Sequence, residues 1–208
     1  MTEPVPMGEQ SEAERKIFEA ARDVFHVQGY EGARMQEIAD RAGINKAMLH
    51  YYYRSKEKLF EAVFRVSAMK VLPTILGIVR SDAGVPEKIA QIVHAYIDLL
   101  SKHPHVPGFI IQELRRNPGR LRRFIGQQAA GVFDQLSGEV DAAVDRGEIR
   151  PIKPEHLLAN LIGLCVFPFI ARPMLETVTG LDETAYDAFI EERKEVVTDF
   201  ILHALKPT

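Results

Sequence analysis

The chain has 208 residues, of which 46% are hydrophobic and 26% charged, with a net charge of −3 and a pI near 6.2. That length holds one domain of good size, or a small domain beside a larger one, and the composition is that of an ordinary globular protein. The overall acidity points away from a uniformly basic nucleic-acid binder, and the single cysteine, Cys165, excludes an internal disulfide and fits a reducing cytoplasm.

Charge location says more than the total. Between Arg34 and Lys58 there are six basic residues against three acidic ones, a local +3. From Val71 onward there are 15 basic and 18 acidic residues, a local −3. A basic patch on an acidic body suits phosphate binding, because counterion release supplies affinity only where the phosphates lie.

The opening MTEPVPMGEQ is polar and acidic, so residues 1–10 are expected to form a flexible tail rather than a signal peptide. A first helix is predicted over residues 11–28, with Ile17, Phe18, Ala21, Val24 and Phe25 on one stripe and Gly29 as its stop. The segment from Met35 to Tyr52, MQEIADRAGINKAMLHYY, reads as two short helices joined by a tight turn. Ala39 lets the helices approach, and Gly43 sits where the turn needs a positive φ. Ile38, Ala42, Ile44 and Leu49 have the spacing to be buried, which leaves Lys46, Ala47, Met48, His50 and Tyr51 outward. This is a helix-turn-helix, with the second helix as the reader of a major groove.

Ser55 is the expected N-cap of a long helix over residues 56–72, where Pro73 begins a connection or a kink. Further helices are expected from Pro86 to about His103, from Val106 to Arg116, from Arg120 to Arg146 after an Asn117-Pro118-Gly119 turn, from Pro154 to about Met174 with a bend at Pro168, and from Asp182 to Leu205. The most apolar stretch, Leu157 to Ile170, contains Asn160 and Pro168 and is too short to span a bilayer. No strand, repeat or low-complexity tract stands out. The expected architecture is all-α with about nine helices: a three-helix helix-turn-helix domain at 11–55 and a helical bundle at 56–208.

The segment from Ile17 to Phe60 resembles the DNA-binding domain of the TetR family of bacterial transcriptional regulators. The resemblance is carried by Phe25, Gly29 and Tyr30 at the end of the first helix, by EIADRAG (Glu37 to Gly43), and by KAMLHYYYRSKEKLF (Lys46 to Phe60). It implies an operator-binding regulator, a repressor by default, with an activator as the alternative and a helical protein-binding module as a further one. The family often has Thr or Ser where this chain has Ala33 and Arg34, so Arg34 would supply a charge-assisted phosphate contact instead. His50 and Tyr51 reverse the family's usual Tyr-then-His order, which bears on the operator sequence.

Candidate DNA contacts are Arg34, Asn45, Lys46, Ala47, Met48, His50, Tyr51, Tyr52 and Lys56. Lys56 lies at a helix start, where free N–H groups and the dipole favour an anion. Lys46 and His50 face outward one turn apart. Ala47 and Met48 either meet thymine methyls or fill the helix. Asn45 is an N-cap that also has reach to a phosphate. Tyr52 either bonds a phosphate or packs its ring inward, and Tyr53 is expected to pack.

The body is expected to hold a small, largely apolar effector between its helices. Candidate lining residues are His94, Tyr96, Phe109, Gln112, Glu113, Phe124, Gln128, Cys165 and Phe169. Arg115, Arg116, Arg120, Arg122 and Arg123 form either a solvated rim or an anion contact. His94, His103 and His105 lack the i, i+4 partners of a metal site, so no metal or cofactor is expected. One reading head meets too few bases to be selective, so a homodimer on a palindromic site is expected. The resemblance implies a seam through the last two helices and their apolar stripes, around Leu157, Leu161, Leu164, Phe189, Val197, Phe200 and Ile201, the alternative being burial of these within one chain. No glycine-rich phosphate loop, nucleophile or metal motif supports an enzyme. The expected setting is the cytoplasm, with double-stranded DNA and a small molecule as partners and no membrane.

Overall fold

The structure, a computed structural model, describes residues 12–207 apart from the side chains of Arg120, Leu121, Ile125, Gln127 and Gln128. The expected tail at residues 1–10 lies outside the described residues. The described residues contain twelve helices and no strand, and they fall into two compact units that divide between Ser67 and Ala68.

In the first unit, α1 (Glu12–Gly32) packs on α2 (Met35–Arg41), and α2 packs on α3 (Lys46–Tyr52); α4 (Lys56–Ala68) completes it. The helical geometry of α1 breaks at Gly29, whose φ is 66°, as its position in the sequence predicts. The core is Ile17, Val24, Phe25, Ile38, Leu49, Leu59, Val63 and Phe64, all buried. Phe60 meets Phe25 and Tyr30 edge to face, at 5.0 and 5.1 Å between ring centres. Ala39 and Ala42 are buried, and Ile44 is half-buried.

The second unit is built around α6 (Val85–Lys102), which packs against α5 (Leu72–Val79), α9 (Val132–Asp145), α10 (Pro154–Ile170) and α12 (Glu183–Ala204). The remaining helices are α7 (Val106–Arg116), α8 (Pro118–Gln128) and α11 (Arg172–Thr179). Ile89, Val93 and Ile97 of α6 meet Val140, Leu157, Tyr186, Val197 and Ile201 in one core. Lys88 is buried there; its ammonium donates to the Val79 carbonyl at the end of α5 and to the Glu139 carboxylate on α9. The positive charge suits the negative end of α5 as well as the carboxylate. Burial pushes the Glu139 carboxyl up, but hydrogen bonds from Lys88 and Gln135 and the Lys88 charge hold it below the usual range.

The helix count exceeds the expected nine because three expected helices are interrupted or followed by new ones. The helix expected over residues 56–72 stops at Ala68, and Pro73 lies in the first turn of a new helix rather than a connection. Proline has no N–H for the carbonyl four residues back, yet it suits a first turn. The expected helix from Arg120 to Arg146 is two, parted before Gly131, whose φ is 71°. Pro118 opens α8, so the Asn117-Pro118-Gly119 turn is shorter than predicted. The helix expected to reach Met174 ends at Ile170, and α11 follows.

Pro168 itself sits inside α10. It cannot donate to the carbonyl of Leu164. That carbonyl instead accepts from the Arg193 guanidinium of α12 at 2.8 Å. The Pro168 carbonyl accepts from the Tyr186 hydroxyl, also of α12, at 2.7 Å. The backbone defect of one helix is thus filled by side chains of another.

Two outcomes follow. Gly43 has φ 68° and nothing within 4 Å of an added Cβ, so conformation and not space demands glycine. Gly43→Ala should cost about 1–2 kcal/mol in urea denaturation, and Gly43→Asn distinctly less. Arg193→Met should cost about 1–3 kcal/mol by orphaning the Leu164 carbonyl. In a Pro168→Ala background, where residue 168 regains its N–H, that cost should shrink, as a double-mutant cycle would read.

Candidate functional site

The turn between α2 and α3 is made by local chemistry. Gly43 takes the left-handed conformation, and the Asn45 side chain accepts from the Met48 N–H at 2.8 Å to cap α3. Ser55 does the same for α4, accepting from the Lys58 N–H at 3.2 Å. A helix of seven residues is too short to persist alone. What holds α3 is Leu49, its one fully buried residue.

With Leu49 inward, Lys46, Ala47, Met48, His50 and Tyr51 all stand exposed. Tyr51 is 82% exposed, a large aromatic ring offered to solvent, and it meets the Tyr52 ring edge to face at 5.4 Å. Tyr52 is half-buried, so its ring is partly packed. Tyr53 is half-buried too; burial first, and then the charge of Glu14 and a hydrogen bond with it, push its phenol up to about 12. Arg34 is exposed at the N-cap of α2 and makes no side-chain cap, as the absence of Ser or Thr there implies.

Lys56 is placed differently from a freely extended clamp. Its ammonium lies 4.5 Å from the centre of the Tyr30 ring and donates to the Glu31 carbonyl at 3.3 Å. It therefore ties the start of α4 to the end of α1 while presenting charge at a helix N-terminus. The basic set is otherwise outward: Arg34, Arg41, Lys46, Arg54 and Lys58 are all exposed.

The second unit contains a cavity of about 400 Å³. One wall is α5, through Leu72, Ile75, Leu76 and Val79, and most of the rest comes from α6, α9 and α10, with Ala68, Ile110 and Phe124 from α4, α7 and α8. Of the sequence-predicted lining residues, Tyr96 and Phe124 stand in this wall. His94, Phe109, Gln112, Glu113, Cys165 and Phe169 are not among its lining residues. His94 faces Glu195 at 3.4 Å, Gln112 is exposed, and Phe109 is buried in packing. Glu113 is buried with Arg116 at 3.5 Å; burial pushes its carboxyl up, against the Arg116 charge. Cys165 is buried, its thiol pushed up to about 12 by burial, and Phe169 packs against the core. The side chain of Gln128 lies outside the described residues. Sequence reasoning sought aromatic and polar residues, whereas the wall is mainly aliphatic. The available signal was the apolar run Leu72 to Val79.

A larger cleft of about 710 Å³ in the first unit is lined by Glu12, Lys16, Glu19, Asp23 and Arg41 among others, charges of both signs that suit no apolar ligand. Arg115, Arg116, Arg122 and Arg123 are exposed, and the side chain of Arg120 lies outside the described residues. Among the described residues no group of three or more His, Cys, Asp or Glu is placed to hold a metal ion. No single helix among them is long and apolar enough to cross a membrane.

The expected seam residues divide. Leu157, Leu161, Val197 and Ile201 belong to the unit's own core, because they sit on the inward stripes of α10 and α12. Leu164 and Phe189 are half-buried. Phe200 is 65% exposed, in line with Val196, and on α10 the exposed apolar residues include Phe167 and Ile170.

The profile of bacterial regulatory proteins of the tetR family matches residues 17–63, and that of the tetracyclin repressor-like C-terminal domain matches residues 86–201. The regulator RutR of Escherichia coli K12 is 25% identical over 194 residues, which are 92% of this chain and 91% of RutR. The fatty acid metabolism regulator protein of Bacillus subtilis is 25% identical over 174 residues, 83% of this chain and 86% of that protein. The solved structure of Bacillus subtilis FadR in complex with stearoyl-CoA has the same fold, with a TM-score of 0.62 at 19% identity over 88% of this chain and 97% of that one.

The Lys56 geometry makes one prediction. Lys56→Ala should destabilise the protein by about 0.5–1 kcal/mol through its ring contact with Tyr30, whereas Lys46→Ala should leave stability unchanged. Denaturant titration of the two variants separates them.

Proposed function

The chain belongs to the tetR family of bacterial regulatory proteins and is a DNA-binding transcriptional regulator, and from that premise we propose that it is a dimeric repressor released from its operator by an apolar small molecule. The observation that carries the reading is the solvent-facing side of α3, where Leu49 alone is turned in. In the proposed complex Lys46 and His50 meet base edges or phosphates in the major groove, Ala47 and Met48 meet thymine methyls, and Tyr51 reaches the groove wall. Arg34, Asn45, Tyr52 and the helix start at Lys56 take the flanking phosphates. Operator DNA places this work in the cytoplasm.

Two copies would join across the exposed apolar residues of α10 and α12, Phe167, Val196 and Phe200 among them. A two-fold axis then sets the two reading helices one DNA turn apart, about 34–36 Å, on a palindrome. The effector occupies the cavity of the second unit. It releases the operator only by binding the DNA-free arrangement more tightly than the DNA-bound one. The lipid-metabolism regulators among the relatives, and the stearoyl-CoA in one of them, support an apolar effector.

A gel shift on the DNA upstream of the chain's own gene, at two salt concentrations, tests the core of this. Binding should be sequence-selective and fall steeply with salt. Lys46→Ala should weaken it and reduce the salt slope by about one while the protein stays folded and dimeric. Full affinity in that variant would remove Lys46 from the interface, and salt-insensitive or absent binding would remove the reading.

A further inference from the structure

The cavity of the second unit has an unusual chemical bias. Among the described residues seventeen line it, and sixteen of those have side chains of carbon and hydrogen alone. The exception is Tyr96 of α6. Burial pushes its phenol up to about 12, so it stays neutral and able to donate. No cationic side chain stands in the described wall. Against the described wall a carboxylate or phosphate would lose hydration without gaining a partner, at a cost of several kcal/mol by general solvation arguments.

Shape adds a second constraint. Leu72, Ile75, Leu76 and Val79 line the cavity along the whole of α5, eight residues or about 12 Å. An apolar strip of that length suits a hydrocarbon chain laid along it.

We propose that the ligand of this cavity is a single-chain hydrocarbon bearing one uncharged hydrogen-bond acceptor, which the Tyr96 hydroxyl recognises. The proposal rests on the reading that the second unit binds an effector, and it names the class of that effector. Tyr96 is then a specificity-determining residue, and chain length sets affinity. A polar heterocycle, with several donors and acceptors to satisfy, is excluded by the same wall.

The test uses the full-length protein and three matched series of six to fourteen carbons: 2-alkanones, carboxylates and 1-alkenes, titrated by calorimetry. Ketone affinity should rise about fourfold with each added carbon until the cavity is full. Carboxylates of equal length should bind at least tenfold more weakly. Tyr96→Phe should weaken ketone binding about two- to tenfold and leave the alkenes unchanged. Equal binding of carboxylates and ketones, affinity independent of length, or equal loss of ketone and alkene binding in Tyr96→Phe would each overturn the proposal. The same ligands in the operator gel shift keep the two readings apart. Ketones that bind as expected but leave the DNA complex intact would refute the effector role and uphold the ligand class. An operator complex released by some other compound, with no ketone binding, would do the reverse.

Discussion

The buried side chain of Leu49 fixes everything that this protein can present to DNA. It is the only fully buried residue of a seven-residue helix, and it packs where Ile38 and Ala39 are also buried. A helix so short has little stability of its own, so the anchor and the cap supply its order. Once Leu49 points in, the 100° step of the helix leaves no choice for its neighbours. Ala47 and Tyr51 fall about 160° away and Met48 and His50 about 100° away, so they look out, while Lys46, only about 60° from Leu49, is exposed in the first turn. The basic residues that surround them are exposed as well, while the matching acidic excess lies beyond residue 70. Net charge is therefore a poor guide to this protein, and the position of charge a good one.

The second unit solves an opposite problem. It has to keep a rigid frame around an apolar void, and voids weaken the packing of their walls. The frame is held by a few polar contacts, one of them at the Val79 end of the cavity wall. Lys88 ties the end of α5 to α9, and Arg193 and Tyr186 fill the hydrogen-bond positions disturbed by Pro168 in α10. Removing one partner from such a buried contact leaves the other exposed to a full desolvation penalty. The cavity wall, by contrast, has almost nothing polar to misalign. Polar precision in the frame and hydrocarbon plasticity in the wall are complementary.

What was legible in the sequence follows this division. The first unit was readable because its signals are local: Gly43 for φ, Asn45 and Ser55 for caps, and Leu49 for burial all act within a few residues of themselves. In the second unit the periodicity of α6 and α12 was equally clear. The breaks were not. Gly131 and Ala171 interrupt runs whose composition stays helical, and which glycine adopts a positive φ depends on what packs beyond it. The cavity wall was hidden for a different reason. Leu76 facing a void and Ile89 facing the core are the same kind of residue at the same kind of spacing. Tyr96 and Phe124 stood out as aromatic residues, whereas Phe133, aromatic and in the same wall, did not. In α10 and α12 the expected seam mixes the two stripes, Leu157, Leu161, Val197 and Ile201 from the inward one and Phe200 from the outward one, since both are apolar.

That last ambiguity has a physical source. α10 is apolar on nearly every side. Leu157, Leu161 and Cys165 are in the core, Leu158 and Ile162 face the cavity and are partly exposed, and Phe167 and Ile170 are exposed on further sides. A helix that is hydrophobic all round belongs in an interior. One compact unit covers only part of such a helix, so the rest calls for a ligand on one side and a second chain on another. In the proposed dimer α10 would be the element that both touch. A ligand that changes how Leu158 and Ile162 pack then acts on the same rigid rod that sets the seam at Phe167, and no longer chain of contacts is required to couple the two. The coupling is bounded by the difference in ligand affinity between the two arrangements of α10, which a hydrocarbon wall can tune in steps of single methylenes.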